Sequence, residues 1–592
     1  MRITTSLLPL LTLLSAVAPM HAAIRLRLGD TVVGPVVVSQ GGNAANRVIE
    51  AYAAGDDGLN ALATNGPDRL NLTLTSTAPW VRATAGGLRA CFGRERECVP
   101  LTIAFSTQQL TAGRHTATIQ VADANVLDAP QNILVIVQVG AVAPATVNLY
   151  TPPDGSTDSF EFSVNDALSV SPTTQSGGNW LSLTLHSDTS FDFVKPYRIN
   201  AKHVEGLAEG AYRGAVPIPN NPVAVTYQVT SNPIADVSER RLRFRLAQNS
   251  TKLSRTLRVF NRGRGTFTFS AVEAKVDAGG DWLKAEKVEN ANFVTVTVDA
   301  ASASPGVYTG SVALTTNGVN SPLTIPVEFE VVAQGAPSID YLGVLENADF
   351  LEGDVIAAGG IIAIKGEQLY YGEPKLSSEA QAPTDFDGVR IFVNDQPAPV
   401  YFISYNQVNA QAPYGIRPGE GVVRVERGAT RGNGVTARFV AASPKFLKLR
   451  LRDAGINIPE FRDYFAIAFN PDGSLSLPRD LGFPNSRPSK RGETIVMYGF
   501  GFGQTDPAST AGRPAPATEL RPVASGLKRV YFGALALNSG VPIDASYVGL
   551  IPGFFGVYQM NVVVPDESVS GDVPVRLQLD TVASEYALVA VE

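Results

Sequence analysis

The chain has 592 residues, 48 Lys and Arg against 55 Asp and Glu, a formal charge of −7 and only 17% charged residues. That balance excludes a basic nucleic-acid binder and an acidic disordered chain. With 54 Gly, 40 Pro and 44% hydrophobic residues, the composition suits turn-rich β structure, and the length predicts roughly four to six domains. Four His and two Cys are too few for His- or Cys-rich metal centres or redox relays, and no cofactor is expected.

The first residues read as an export signal. Arg2 supplies a positive start, Leu7 to Ala18 form an apolar run of twelve, and Ala22 and Ala23 are the small residues of a cleavage site. Twelve residues are too few to span a bilayer. A leader over 1–23 is expected, with mature protein from Ala23 or Ile24, no transmembrane segment after it, and a secreted, extracellular or cell-surface location. Cys91 and Cys98 enclose a six-residue loop with Gly93 to turn the chain. In an oxidising compartment they are expected to bridge, since a lone Cys-x6-Cys is poor zinc spacing.

Three tryptophans mark repeats. Trp80, Trp180 and Trp282 stand 100 and 102 residues apart, each before an aliphatic residue, Val81, Leu181 or Leu283. A second signature follows each: Gly113/His115/Ala117, Gly210/Tyr212/Gly214 and Gly306/Tyr308/Gly310. Each repeat closes on an apolar strand pattern, Ile133 to Val139, Val223 to Val229 and Leu323 to Val331. Such spacing predicts an all-β chain of tandem immunoglobulin-like β-sandwiches. The expected divisions are 24–141, 142–235 and 236–334.

Repeat three carries GGDWLKAE, Gly279 to Glu286, and NSPLTIPVEFEV, Asn320 to Val331. In these and the Gly-x-Tyr-x-Gly turn it resembles the BACON-like repeats of exported bacterial proteins. The resemblance implies carbohydrate association. The tryptophans themselves are expected to be core pins rather than sugar platforms.

From Tyr341 the texture changes, after a linker at Ala333 to Pro337. Gln407, Asn409, Pro413 and Gly419 recur as Gln559, Asn561, Pro565 and Gly571, each 152 residues on. Two copies of one module are expected, at 340–447 and 448–592. The run from Gly549 to Asn561, the glycine-rich stretch Tyr498 to Gly503 and the turn Asn470 to Gly473 resemble the TIG/IPT-like tandem at the C-terminus of exported acidobacterial proteins. That resemblance implies surface duty.

No His-x-x-x-His or Gly-x-Ser-x-Gly element occurs, and His115, His186 and His203 have no partner pattern. The chain is expected not to be an enzyme. Nine bases fall between Arg240 and Arg264 without an acid. Arg241, Arg243 and Arg245 alternate with Leu242, Phe244 and Leu246, which places three guanidiniums on one strand face. With Arg255 and Arg258 they form a candidate anionic-ligand patch against the alternative of a solvated outer sheet face. Gln407 and Asn409 with Tyr401 and Tyr405, and Gln559 and Asn561 with Phe554, Phe555 and Tyr558, are candidate glycan loops. There an amide fork and a ring face would meet a pyranose, against the alternative that the amides cap loop backbone. Asp56 with Asp57, Asp154 with Asp158, and Asn470 with Asp472 could offer oxygen ligands to Ca²⁺, though turn chemistry explains them better.

The expected role is a rod-like, non-catalytic protein for adhesion, matrix assembly or glycan binding. Its partner would be a polysaccharide or a cell-surface or matrix protein, not nucleic acid. The alternative is a secreted hydrolase or an accessory subunit of a polysaccharide-degrading system, which a deep pocket with convergent carboxylates would favour.

Overall fold

The computed structural model describes residues 25–54, 70–92, 97–124, 126, 128–186, 194–289, 291–347, 355–450, 462, 464–535 and 539–592. The leader expected at 1–23, Asp56, Asp57 and Gly93 lie outside them. The described residues are nearly all β, with one 3-10 turn at Arg479–Leu481 and no α-helix. Alternation of apolar and polar residues explains the strands. In Leu323–Val332 the side chains of Ile325, Val327, Phe329 and Val331 are buried, while Glu328 and Glu330 take the other face.

The strands form tandem Ig-like sandwiches, and the first three share one plan. In the third, one sheet runs Leu242–Ala247, Leu323–Val332, Gly306–Thr316 and Phe269–Val276. Its partner sheet runs Ala235–Val237, Leu253–Asn261, Phe293–Val298 and Leu283–Lys287. The same orders recur in the first, over Arg25–Val139, and in the second, over Thr146–Val229, except that the second's partner sheet has three strands and lacks a counterpart of Ala235–Val237. The fourth spans Ser338–Val440 and the fifth Lys445–Val591. In all five, an early strand pairs parallel with the last or nearly last one, as Val32–Val38 does with Gln131–Val139 and Val355–Ala357 with Thr430–Val440. The two halves related by the 152-residue offset begin equivalent strands at Gly419 and Gly571, both at positive φ (129° and 103°) where a side chain would be strained.

The repeat signature is a packing device. Trp180 and Trp282 are buried, and each indole N–H donates to a carbonyl four residues earlier, Ser176 O at 2.9 Å and Ala278 O at 3.0 Å. Each ring lies over a glycine: a Cβ on Gly214 or Gly310 would meet the indole Cη2 at 3.2 or 3.3 Å and a backbone carbonyl at 2.6 Å. In the first sandwich that glycine is Ala117, and Trp80 is only partly buried. The His115, Tyr212 and Tyr308 rings also share a bond to the carbonyl four residues before, each at 2.8 Å. Gly310→Ala is expected to cost about 1–3 kcal/mol by overpacking. Chemical denaturation would check it; an unchanged midpoint would show that the strand carrying the Lys275 carbonyl can shift to make room.

Cys91 and Cys98 are bridged, with Cα atoms 5.0 Å apart, and tie the short strand Arg89–Ala90 to Glu97–Phe105. Closing so short a loop constrains the unfolded chain modestly. Cys91→Ser with Cys98→Ser should therefore lower unfolding free energy by about 2.5 kcal/mol, read as the difference between native and variant under non-reducing conditions.

The expected rod is not what forms, because the chain folds back. Arg25 and Arg27 of the first sandwich pair with Glu420 of the fourth at 3.2 and 3.4 Å. Asp128 accepts from Leu26 N, Arg27 Nη1 and the Thr436 hydroxyl, all at 2.7 Å, and Gln131 donates to Gly434 O at 2.8 Å. The first and second sandwiches exchange two bonds between Asn165 and the Val37 backbone. The linker is bolted down as well: Gly335 N donates to Gln368 and Gly335 O accepts from Arg427, whose guanidinium lies 3.8 Å from the Tyr371 ring centroid.

Candidate functional site

The arginine stripe runs from Arg241 along the strand Leu242–Ala247. Leu242, Phe244 and Leu246 enter the core of the third sandwich, so Arg241, Arg243 and Arg245 take the outer face. The adjacent parallel strand places Glu328 opposite Arg243 and Glu330 opposite Arg245. Strand Gly113–Ala122 of the first sandwich lies over this face, bringing Arg114 to Glu328 at 3.2 Å and the Thr116 hydroxyl to Glu330. Arg245 is held by Glu330 at 3.2 Å and by Glu367 of the fourth sandwich. Burial pushes the Glu367 carboxyl up, and the Arg245 guanidinium opposes it.

Four further charges join the second and third sandwiches. Asp158 and Asp236 are buried, and Arg240 reaches both, at 2.8 and 2.6 Å. Arg262 also reaches both, at 2.8 and 3.1 Å. Hydrogen bonding to Asp236 holds Arg240 well above its ordinary value. Asp158 also accepts from Tyr150 N and Ser159 N. This is an ion-paired clasp, in which each carboxylate is engaged by two guanidiniums.

The five arginines of the candidate patch therefore separate. Arg241 is exposed and makes no ion pair among the described residues, whereas Arg243 and Arg245 are engaged as above. Arg255, in the opposite sheet, pairs with Glu239 at 3.0 Å and lies 5.5 Å from the Phe244 ring. Arg258 faces away from Arg255 and covers Phe260 at 4.9 Å. Sequence reasoning missed the partners Arg114, Asp236, Glu328, Glu330 and Glu367, and it offered Asp158 as a Ca²⁺ ligand where the structure pairs it with Arg240 and Arg262. The alternation Glu-Phe-Glu in the closing strand was a signal for Glu328 and Glu330.

Two cavities flank the stripe. A groove of about 1040 Å³ lies between the first three sandwiches, with Arg114, Arg241, Arg243, Phe160 and His186 on its walls. A cavity of about 430 Å³ lies between the first, third and fourth.

The Gln-x-Asn motifs are in strands, not in loops ahead of them. Gln407 and Asn409 share one face of Gln407–Gln411, and Gln407 Nε2 donates to Asn409 Oδ1 at 2.7 Å. Gln559 and Asn561 repeat this in Tyr558–Val563 at 3.3 Å. Lys365 Nζ also bonds Gln407. The aromatic partners disperse, because large rings are claimed by cores and junctions. Tyr405 is 2% exposed against the third sandwich's core and Tyr558 0% in the fifth's, so neither offers a ring face. Phe555 packs on Tyr401, centroids 5.6 Å apart, where the fourth and fifth sandwiches meet. Phe554 alone of the set is exposed, at 56%.

The acidic turns are occupied internally. Asp154 bonds Ser156, and Asp472 bonds Ser474 and Arg487, while Asn470 is buried against Ser474 and Ser489. The histidines bond separately: His115 with Thr111 O, His186 with Arg198, and His203 with Leu207 O. In the glycine-rich strand, a Cβ on Gly499 would come within 2.3 Å of Lys445 O, so the glycine permits pairing with Lys445–Phe446.

No family model and no curated protein matches the chain. Among solved structures it is similar to an endo-fucoidan hydrolase from glycoside hydrolase family 107, at 14% identity over 53% of this chain and 45% of that one, TM-score 0.19. It is also similar to the N-terminal eight Ig domains of Down syndrome cell adhesion molecule, at 9% identity over 97% and 61%, TM-score 0.15. A third is the I-band fragment I67–I69 of titin, at 10% identity over 53% and 100%, TM-score 0.13. The chain thus spans under half of the hydrolase. At these scores neither activity nor partner passes from them to this protein.

Proposed function

We propose that this is an exported, non-catalytic surface protein, built of three BACON-like repeats and a TIG/IPT-like tandem, that binds glycan in adhesion or matrix assembly. The observation that carries this reading is the groove of about 1040 Å³ framed by three sandwiches. Its volume lies just above the ~300–1,000 Å³ of small-ligand sites, and rigid sheets hold its walls. Its buried carboxylates, Asp158 and Asp236, are committed to Arg240 and Arg262, which suits a recognition surface better than an acid–base pair.

An array of bacterial and plant polysaccharides, probed with the purified full-length protein at low and high salt, tests the proposal. Retention on a glycan without release of new reducing ends is the expected result. Retention with such release would replace it by the hydrolase reading, and no retention on any glycan would remove the glycan role.

A further inference from the structure

Among the described residues, the guanidiniums at two junctions of the third sandwich meet at least as many carboxylates, and at one they do not. At the clasp, Asp158 and Asp236 meet Arg240 and Arg262, two against two. Arg245 has Glu330 and Glu367. At the mouth of the large groove, by contrast, Arg114 and Arg243 share the single carboxylate of Glu328, at 3.2 and 3.9 Å. Arg241 stands beside them without an ion pair among the described residues. Two guanidiniums thus share one carboxylate and a third, unpaired among the described residues, stands beside them on the groove wall, in a chain whose net charge is −7. Burial first, and then repulsion from Arg114 and Arg241, lowers the Arg243 guanidinium below its ordinary value, with Glu328 opposing.

Resting on the glycan reading above, we infer that Arg241, Arg243 and Arg114 form a docking site for the acidic groups of an anionic polysaccharide entering the groove between the first and third sandwiches. Guanidinium forks match carboxylate and sulfate oxygens in pairs, so uronate carboxylates and sulfate esters share the chemistry required. The groove extends past these arginines to Phe160 and His186, room for an extended chain rather than a lone ion. Arg241 and Arg243 are exposed, so a polymer can reach them without opening the fold.

The test measures binding of the full-length protein to polygalacturonate, dextran sulfate, unsubstituted dextran and poly-glutamate at low and high salt. Arg241→Glu is the principal variant, because Arg241 holds no ion pair that folding would miss. Arg243→Ser is the second, and Lys284→Ser, an exposed cation on the strand Leu283–Lys287, is the control. Arg241→Glu should weaken binding of one or both anionic polysaccharides by on the order of tenfold at low salt, the scale of one lost charge-assisted contact. The control should not change it, and high salt should abolish the difference. Loss on polygalacturonate alone, on dextran sulfate alone, or on both assigns carboxylate, sulfate or either. Equal binding by native and Arg241→Glu protein overturns the site, as does equal loss in the control. Binding only to poly-glutamate replaces the polysaccharide by an acidic protein. Salt-independent binding to unsubstituted dextran, unaffected by either arginine change, overturns the site and leaves the broader glycan reading intact. Binding to none of the four overturns the site, and the broader reading is then decided by the polysaccharide array.

Discussion

Asp158→Ala is expected to lower the unfolding free energy by about 3 kcal/mol, the lower end of the range for removing one partner of a buried ion pair. The Asp158 side chain is only 3% exposed and takes hydrogen bonds or ion pairs from Arg240, Arg262, Tyr150 N and Ser159 N. Removing it leaves the Tyr150 and Ser159 amides short of an acceptor and two guanidiniums facing Asp236 alone. Arg240 keeps 45% of its side chain in solvent, which moderates the loss. Asp158→Asn keeps an oxygen acceptor and should cost less. Chemical denaturation of the three proteins checks the order, and equal stability of Asp158→Ala and native protein would contradict the clasp.

Asp128→Ala should loosen the fold-back between the first and fourth sandwiches. The carboxylate is fully buried and ties Leu26 N and Arg27 of the first to Thr436 of the fourth. A chain of this length folded compactly has a radius of gyration near 25 Å, and a string of five sandwiches is much longer. Small-angle scattering of the native protein should therefore lie nearer the compact value, and Asp128→Ala should shift it upward. The Arg25 and Arg27 pairs with Glu420 survive the change, so adding Glu420→Ala should enlarge the shift. An elongated native profile would contradict the closure.

Both predictions rest on residues with partners in another sandwich, 82 positions away for Asp158 and Arg240 and 308 for Asp128 and Thr436, and this marks the boundary of what could be read in advance. The alternation in Leu323–Val332 and the recurrence of Trp80, Trp180 and Trp282 made the all-β Ig-like fold legible, because burial of one strand face is a period-two property of neighbouring residues. The Cys91–Cys98 bridge was equally local. The arginine stripe was legible as a row on one face, but its charge state was not. Glu328 and Glu330 arrive from a strand some 80 residues on in the sequence, Arg114 from another sandwich and Glu367 from a fourth. The aromatic half of the glycan loops failed for the same reason: Tyr405 and Tyr558 sit beside polar residues in sequence but inside cores in space.

The amino-acid order alone determined strand periodicity, the repeats and the bridged hairpin. Each is a contact within one sandwich, set by alternation, spacing and side-chain size. Tertiary structure decided the fold-back, the Asp158 and Asp128 clasps and the excess of guanidinium over carboxylate at the groove. Those depend on which outer faces meet, and a solvent-facing polar residue carries no periodic signal that names its partner.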